Sequence, residues 1–390
     1  MKRWNKYRLW FCLLLSILWG SSLTGCQVLE ESTSVLIQQE KVESKSKEKT
    51  SDKSASKMKV HFIDVGQGSA ALIESKGHYM LMDGGDSDTS SKVVSYLKKQ
   101  GVRKLDYVIV SHYDSDHLHG VVGALNAFPA EYVIAPNYEE DTRVYESFVK
   151  VVKQKKITKI KPKVGKKYKL GKARFTILAP NGSNYSDVNN YSVAIRLVNG
   201  SNKFVITGDA ETESEYEILE NKYKVSCDVF AAGHHGSANS SSQKFLQAMK
   251  PEYVVVSAGA DNNYGHPSQE AMARFKAIGA KILRTDEQGT VIATSNGRKI
   301  TWNKKPSTSW AYREYGSSTS IGGKDKTEEK ATQKPAESAV SGQYIGNKNS
   351  KKYHSTSCGS LPYEENRAYF TSVQEAEEAG YIPCSFCDPK

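Results

Sequence analysis

Long apolar runs are scarce in this 390-residue chain. The most marked, Leu9 to Trp19, is too short for a permanent bilayer span, which takes roughly 20 apolar residues. No multi-span region follows it, so a membrane channel is not expected. Cysteine is sparse too: Cys12, Cys26, Cys227, Cys358, Cys384 and Cys387, with no visible disulfide framework. Cys227 sits in a strand-like run, Val225 to Phe230, and reads as buried rather than reactive. The hydrophobic fraction, 38%, is low for a globular protein. The deficit is concentrated in two polar tracts, 26–57 and 304–341, which cannot bury enough apolar surface to fold and read as disordered spacer and linker. The middle can therefore still build a full core. There is no internal repeat. Acidic residues are missing altogether from Lys150 to Arg174.

What is present begins with a basic start, Lys2, Arg3, Lys6 and Arg8, followed by the short apolar run. This pattern is that of a signal peptide, residues 1–25, whose loss removes some of the formal charge of +11. The segment Leu23-Thr24-Gly25-Cys26 resembles a bacterial lipobox. It implies lipidation of Cys26 and a mature protein anchored by lipid to the extracellular face of the cell membrane, with no transmembrane domain. The alternative is cleavage elsewhere with Cys26 a bystander.

Between the tracts, residues 58–303 alternate strands and helices. Met58 to Ile63 has the period of two expected of a half-buried strand. Further strands are expected at 70–73, 79–82, 107–110, 132–134, 175–178, 193–197, 204–206, 229–232, 253–256, 281–283 and 290–293. Helices are expected at 91–100, stopped by Gly101, and at 117–127, 141–154, 212–221, 241–249 and 268–278. Many strands with interspersed helices suggest an α/β fold of two packed sheets with helices outside.

Directly after the run Tyr107 to Val110 comes Ser111-His112-Tyr113-Asp114-Ser115-Asp116-His117-Leu118-His119-Gly120. It crowds four possible ligands into six residues at a strand's end, and imidazoles with carboxylates suit zinc, manganese or iron. A lone pair of such residues would be read as a solvated loop. The full run resembles the metallo-β-lactamase signature, in the variant typical of the hydrolase domain of the ComEC competence-protein family. Other segments resemble that family in order: Phe62 to Ser69, Leu81 to Gly85, Val188 to Ser192, Thr207-Gly208-Asp209, Gly233 to Ser237, and Tyr264 to Pro267.

The resemblance implies a four-layer αββα metallo-β-lactamase sandwich holding two divalent ions, zinc or manganese. His112 and Asp114 would bind the first ion, Asp116, His117 and His234 the second, and Asp209 would bridge. His234 is preferred to His235 because the family's ligand usually lies two residues before the glycine. The histidine that many relatives carry between the two halves is absent, and Asn189 to Ser192 occupies that stretch. The oxygen-rich shell shifts the balance toward manganese. Asp116 would orient a water and take its proton, and His266 would donate a proton or contact phosphate; a turn-capping role before Pro267 is the other reading. Asn190, Ser192, His235 and Ser237 are expected near the substrate, while Asp64 and Asp83 hold loops.

The acid-free tract Lys150 to Arg174 contains twelve Lys and Arg. Lys155, Lys156, Lys159 and Lys161 would line one face of an edge strand and suit phosphate contacts. A solvated edge that blocks sheet pairing, or binding to anionic wall polymers, fits equally. In the C-terminal module, 342–390, His354 and Cys358 are followed 26 positions on by Cys384 and then Cys387. Such spacing fits a structural zinc site, and so small a module needs a staple. The segment resembles the Ada-type metal-binding domain; a disulfide through Cys384 is the alternative. These expectations converge on an anchored phosphodiesterase acting on DNA or another phosphodiester polymer. A phosphoesterase for cell-wall or choline-type phosphates and a non-catalytic DNA-binding lipoprotein are the competing readings.

Overall fold

The computed structural model describes residues 57–314, 344–348, 351–356, 358, 367–384 and 389. The expected signal segment, Cys26, both polar tracts beyond these bounds and Cys387 lie outside the described residues.

Two sheets carry the main body. The first has eight strands in the order β15 (Ile300–Trp302), β14 (Val291–Ser295), β1 (Met58–Phe62), β2 (Ala71–Ser75), β3 (His78–Met82), β4 (Leu105–Ile109), β5 (Ala130–Ile134) and β6 (Thr158–Ile160). The second has seven in the order β13 (Lys281–Arg284), β12 (Tyr253–Val256), β11 (Val229–Ala231), β10 (Asn202–Ile206), β9 (Ala194–Asn199), β8 (Ala173–Ala179) and β7 (Lys167–Leu170). Strand β1 (Met58–Phe62) shows how the pattern is read out. Met58, Val60 and Phe62 enter the core between the sheets, where they meet Phe175, Ile195 and Phe204 of the second sheet. Lys59 and His61 take the opposite face; His61 is buried there and its Nδ1 meets the Tyr96 hydroxyl at 2.8 Å.

Helices α1 (Ser90–Lys99), α2 (Ser115–Ala127) and α3 (Arg143–Gln154) cover the outer face of the first sheet around Val93, Leu97, Leu118, Val121 and Phe148. Helices α4 (Thr212–Glu220), α5 (Gln243–Met249) and α6 (Gln269–Ala277) cover the second around Ile218, Phe245 and Phe275. The architecture is the expected αββα sandwich, and each expected strand and helix forms with ends shifted by a few residues.

Two features differ from expectation. The basic tract supplies two edges: β6 (Thr158–Ile160) ends the first sheet and β7 (Lys167–Leu170) ends the second. Part of the tract expected as a linker, from residue 304, also packs on the main body. Ser307 pairs with Ile282, Arg313 N–H donates to the Pro267 carbonyl, and Trp310 and Tyr312 pack on the second outer core. These aromatics lie in a polar stretch, so local composition hid them.

Parallel pairing sets the site's position. Strands β3 to β6 run parallel in the first sheet, and β10 to β13 in the second. Loops at the carboxyl ends of such strands gather along one rim, the usual place for a site in open α/β sheets. Among the described residues, the C-terminal module is a small sheet in the order β18 (Arg367–Phe370), β16 (Tyr344–Asn347), β17 (Lys352–Ser355) and β19 (Ile382–Pro383) with a short helix, Val373–Glu378, built on Tyr353, Phe370, Ala376 and Tyr381. No helix among the described residues is long and apolar enough to cross a membrane.

Candidate metal centre

Three loops meet at this rim. After β4 (Leu105–Ile109) the chain passes His112 and Asp114 and turns into α2. Asp114 is the N-cap residue, yet its side chain makes no capping hydrogen bond, which leaves the carboxylate free for the centre. Asp116 and His117 lie in the first helical turn, both buried. Asp209 follows β10 (Asn202–Ile206), and His234 and His235 follow β11 (Val229–Ala231).

Glycines permit the close approach. A Cβ on Gly68 would lie 2.4 Å from the Asp116 carbonyl oxygen, and one on Gly84 would lie 2.3 Å from Val121 N. Only a bare backbone lets these two loops lie against the start of α2. Their amide partners follow: Ser69 N–H donates to the Asp116 carbonyl and Gly84 N–H to that of His117.

The imidazoles share one arrangement, with one ring nitrogen held from outside and Nε2 turned to the Asp209 carboxylate. His117 Nδ1 lies 2.9 Å from Asp83 Oδ2, and its Nε2 lies 3.2 Å from Asp209 Oδ1. His235 Nδ1 donates to the Ser257 carbonyl at 2.9 Å, while its Nε2 lies 3.2 Å from Asp116 Oδ2 and 3.3 Å from Asp209 Oδ2. His112 Nδ1 meets the Ser111 hydroxyl at 3.0 Å; its Nε2 is 3.7 Å from Asp114 Oδ2 and 4.0 Å from Asp209 Oδ2. His234 is more distant, its Nε2 3.7 Å from Asp209 Oδ2 and its Nδ1 3.5 Å from Glu211.

Charge follows geometry. Burial opposes ionisation of Asp209, but the positive fields of His117, His235 and His234 outweigh it and hold the carboxyl well below its ordinary range. Burial likewise opposes charging of His235, yet Asp209 and Asp116 push it up to about 10. His117 is raised well above its ordinary value against burial, by Asp209, Asp116 and Asp83.

This donor set fits a divalent metal. Ligand atoms of His112, His117 and Asp209 lie within 4.8 Å of one another, as do those of Asp116, His117 and His235. His112 Nε2, both Asp116 oxygens and Asp209 Oδ1 are buried without a hydrogen-bond partner. Buried polar atoms are rarely left so, and a cation would satisfy all of them.

Several expected residues take other parts. The nitrogen that meets Asp116 and Asp209 is on His235, not on His234, because consecutive left-handed backbone angles (φ 48° and 55°) swing the second ring into the centre. Asn190 Oδ1 accepts from the Glu211 and Ser214 amides, Ser192 Oγ accepts from Asp209 N–H, and Ser237 Oγ accepts from Asn239 N–H. These bonds hold the loops in which the three residues lie. Asp83, read as a loop residue, also accepts from Ser111 N–H at 2.8 Å and so ties that loop to the His117 ring. His266 stands beside the centre, its ring 5.2 Å from His234 and 6.1 Å from His235. Burial first, then the charges of those two rings, holds it well below an ordinary histidine pKa.

Lys155, Lys156, Lys159 and Lys161 are exposed, but only Lys159 lies on the edge strand β6; Lys155 caps α3, Lys156 follows it in the left-handed region, and Lys161 follows the strand. Lys159 donates to the Tyr113 hydroxyl at 3.3 Å, which links that edge to the metal loop. In the C-terminal module, His354, Cys358 and Cys384 bring their ligand atoms within 4.8 Å of one another, and both cysteines are free thiols. That set fits zinc; Cys387 lies outside the described residues.

Fold and site together define a metal-dependent hydrolase. Residues 63–260 match the metallo-beta-lactamase superfamily, and the chain belongs to it. Residues 328–390 match the metal binding domain of Ada. Among individual relatives, the chain is 25% identical over 270 residues to ComE operon protein 3 of Bacillus subtilis, covering 65% of this chain and 35% of that protein. It is 33% identical over 257 residues to competence protein ComA of Neisseria gonorrhoeae, covering 62% and 34%. The chain thus spans about a third of the length of these relatives. Among solved structures, the metallo-beta-lactamase fold protein YhfI from Bacillus subtilis aligns over 63% of this chain and 100% of its own, with 16% identity and a TM-score of 0.43.

Proposed function

We propose that the chain is a phosphodiesterase that cleaves DNA or a chemically similar phosphodiester polymer, anchored through Cys26 on the extracellular face of the membrane. The observation that carries this reading is the meeting of three separated loops, with nitrogen donors from two of them directed at the Asp209 carboxylate of the third. The names of the relatives, competence proteins, and the basic edge beside the metal loop favour DNA as the polymer.

His112, Asp114, Asp116, His117, Asp209 and His235 would hold two divalent ions, zinc or manganese. Such ions, when bound, supply Lewis acidity and lower the pKa of water. The protein's own groups do the rest. Asp83, Ser111 and Ser257 fix the ring orientations. Asp116 orients the attacking water and accepts its proton. His266, kept neutral, offers a ring N–H to the leaving oxygen. Lys155, Lys156, Lys159 and Lys161 hold the flanking phosphates without reading sequence.

The test is hydrolysis by the purified full chain of single- and double-stranded DNA and of small phosphodiesters, with zinc or manganese, beside Asp209→Asn. Metal-dependent DNA cleavage that the substitution abolishes is the expected result. Cleavage of small wall-type or choline-type phosphates alone would replace the polymer reading. DNA binding without cleavage under any metal would leave a capture protein.

A further inference from the structure

The C-terminal module lies against the hydrolase rim. Tyr264, on the loop that carries His266, packs on the buried Cys358 and Cys384 of the module's metal cluster. The Tyr264 ring stacks on that of His266 at 6.1 Å with 26° between planes, and His266 in turn borders His234. A continuous path of packed rings therefore joins the two metal clusters.

On the module side, β17 (Lys352–Ser355) presents Tyr353 to its own core. The period of two puts Lys352 and His354 on the other face. Lys352 is buried, 8% exposed, and its ammonium has no hydrogen-bond partner. An ammonium so placed is costly unless opposite charge stands nearby. That charge comes from the hydrolase domain. Glu140, pushed up to about 7 by burial and then by Asp114, feels Lys352 and Cys384. Lys352 shares the face of β17 that carries His354, whose cluster Tyr264 packs on, so its ammonium faces the hydrolase rim with three donor hydrogens uncommitted.

We propose that the module is a working wall of the catalytic mouth and that Lys352 is an anion-binding residue for the phosphate under attack. This rests on the phosphodiester reading of the centre. The module's zinc would then hold His354, and with it Lys352 two residues away, in register with the hydrolase rim. Tyr264 sets the module's distance.

Two measurements on the full, metal-loaded chain test it. The first is binding of inorganic phosphate by calorimetry, which needs no turnover. Lys352→Ala is expected to weaken phosphate about tenfold, and Lys352→Arg to restore it to within about threefold, with unchanged metal content in both. Tyr264→Ala is expected to weaken phosphate while the module keeps its zinc, because only the contact is lost. The second is hydrolysis, in which Lys352→Ala should raise KM for a phosphodiester about tenfold. Phosphate affinity equal in wild type and Lys352→Ala overturns the assignment, whatever the chain hydrolyses. So does a rise in kcat/KM on Lys352→Ala or Tyr264→Ala, which would make the module a plug. Absence of hydrolysis in the wild type with phosphate binding lost in Lys352→Ala sinks the phosphodiesterase reading alone.

Discussion

Asp83→Asn isolates the residue that positions a ligand without being one. Asp83 is fully buried, accepts from Ser111 N–H at 2.8 Å and meets His117 Nδ1 at 2.9 Å. The carboxylate places the ring proton on Nδ1 and leaves Nε2 as the bare donor toward Asp209. An asparagine can keep the bond from Ser111 through its oxygen. Its amide then faces His117 Nδ1 as a donor, which turns the tautomer and puts the ring proton on the ligand nitrogen. Loss of such an outer partner typically lowers metal affinity 10–100-fold, or roughly 1.4–2.7 kcal/mol. Stability of the metal-free fold should change by less, because the buried amide of Ser111 stays satisfied. Competition with a chromophoric chelator measures the affinity, and urea unfolding of the metal-free protein measures the fold. Wild-type affinity in Asp83→Asn would refute the reasoning, and so would a loss traced wholly to unfolding.

Three further outcomes are expected. His235→Ala should lose metal from the hydrolase centre at least tenfold more readily than His234→Ala, read by metal content after gel filtration, since the His235 Nε2 contacts are shorter than that of His234 (3.2 and 3.3 Å against 3.7 Å); equal losses would restore the original preference. His61 has its pKa lowered to about 4, by burial first and Lys59 next. The unfolded chain therefore binds more protons between about pH 6.5 and 4, and stability falls as pH falls through that window, by on the order of 3 kcal/mol. His61→Gln should flatten that slope in denaturant unfolding at pH 7 and 4.5, and a slope as steep as wild type would assign the acid sensitivity elsewhere. Gly68→Ala places a Cβ 2.4 Å from the Asp116 carbonyl oxygen at a φ of 132°, so it should destabilise the fold by roughly 2 kcal/mol or more and weaken metal with it; unchanged melting temperature and metal affinity would show that the two loops can part.

Some of this protein is written in local patterns. Alternation in Met58 to Phe62 determines which face of β1 joins the inter-sheet core, since side chains on a strand point to opposite sides with a period of two. The crowding of His112, Asp114, Asp116 and His117 marks a metal loop because no solvated turn needs that combination. The glycines at 68 and 84 were visible as letters, but not the backbones they admit. Residue spacing carries no such information about groups that come from distant segments. The choice between His234 and His235 turned on two left-handed φ angles. Asn190, Ser192 and Ser237 were expected near a substrate, and only the folded chain matched each to a backbone amide. Trp310 and Tyr312 were hidden in a polar stretch because only the finished surface of the second sheet offers them a place. Lys352 had no local signal whatever. Its meaning comes from a carboxyl group more than two hundred positions earlier, Glu140, and only tertiary structure brings such charges together. Periodicity and short-range spacing are properties of a chain segment and can be read from it; the partner of a buried polar atom is a property of the packed whole.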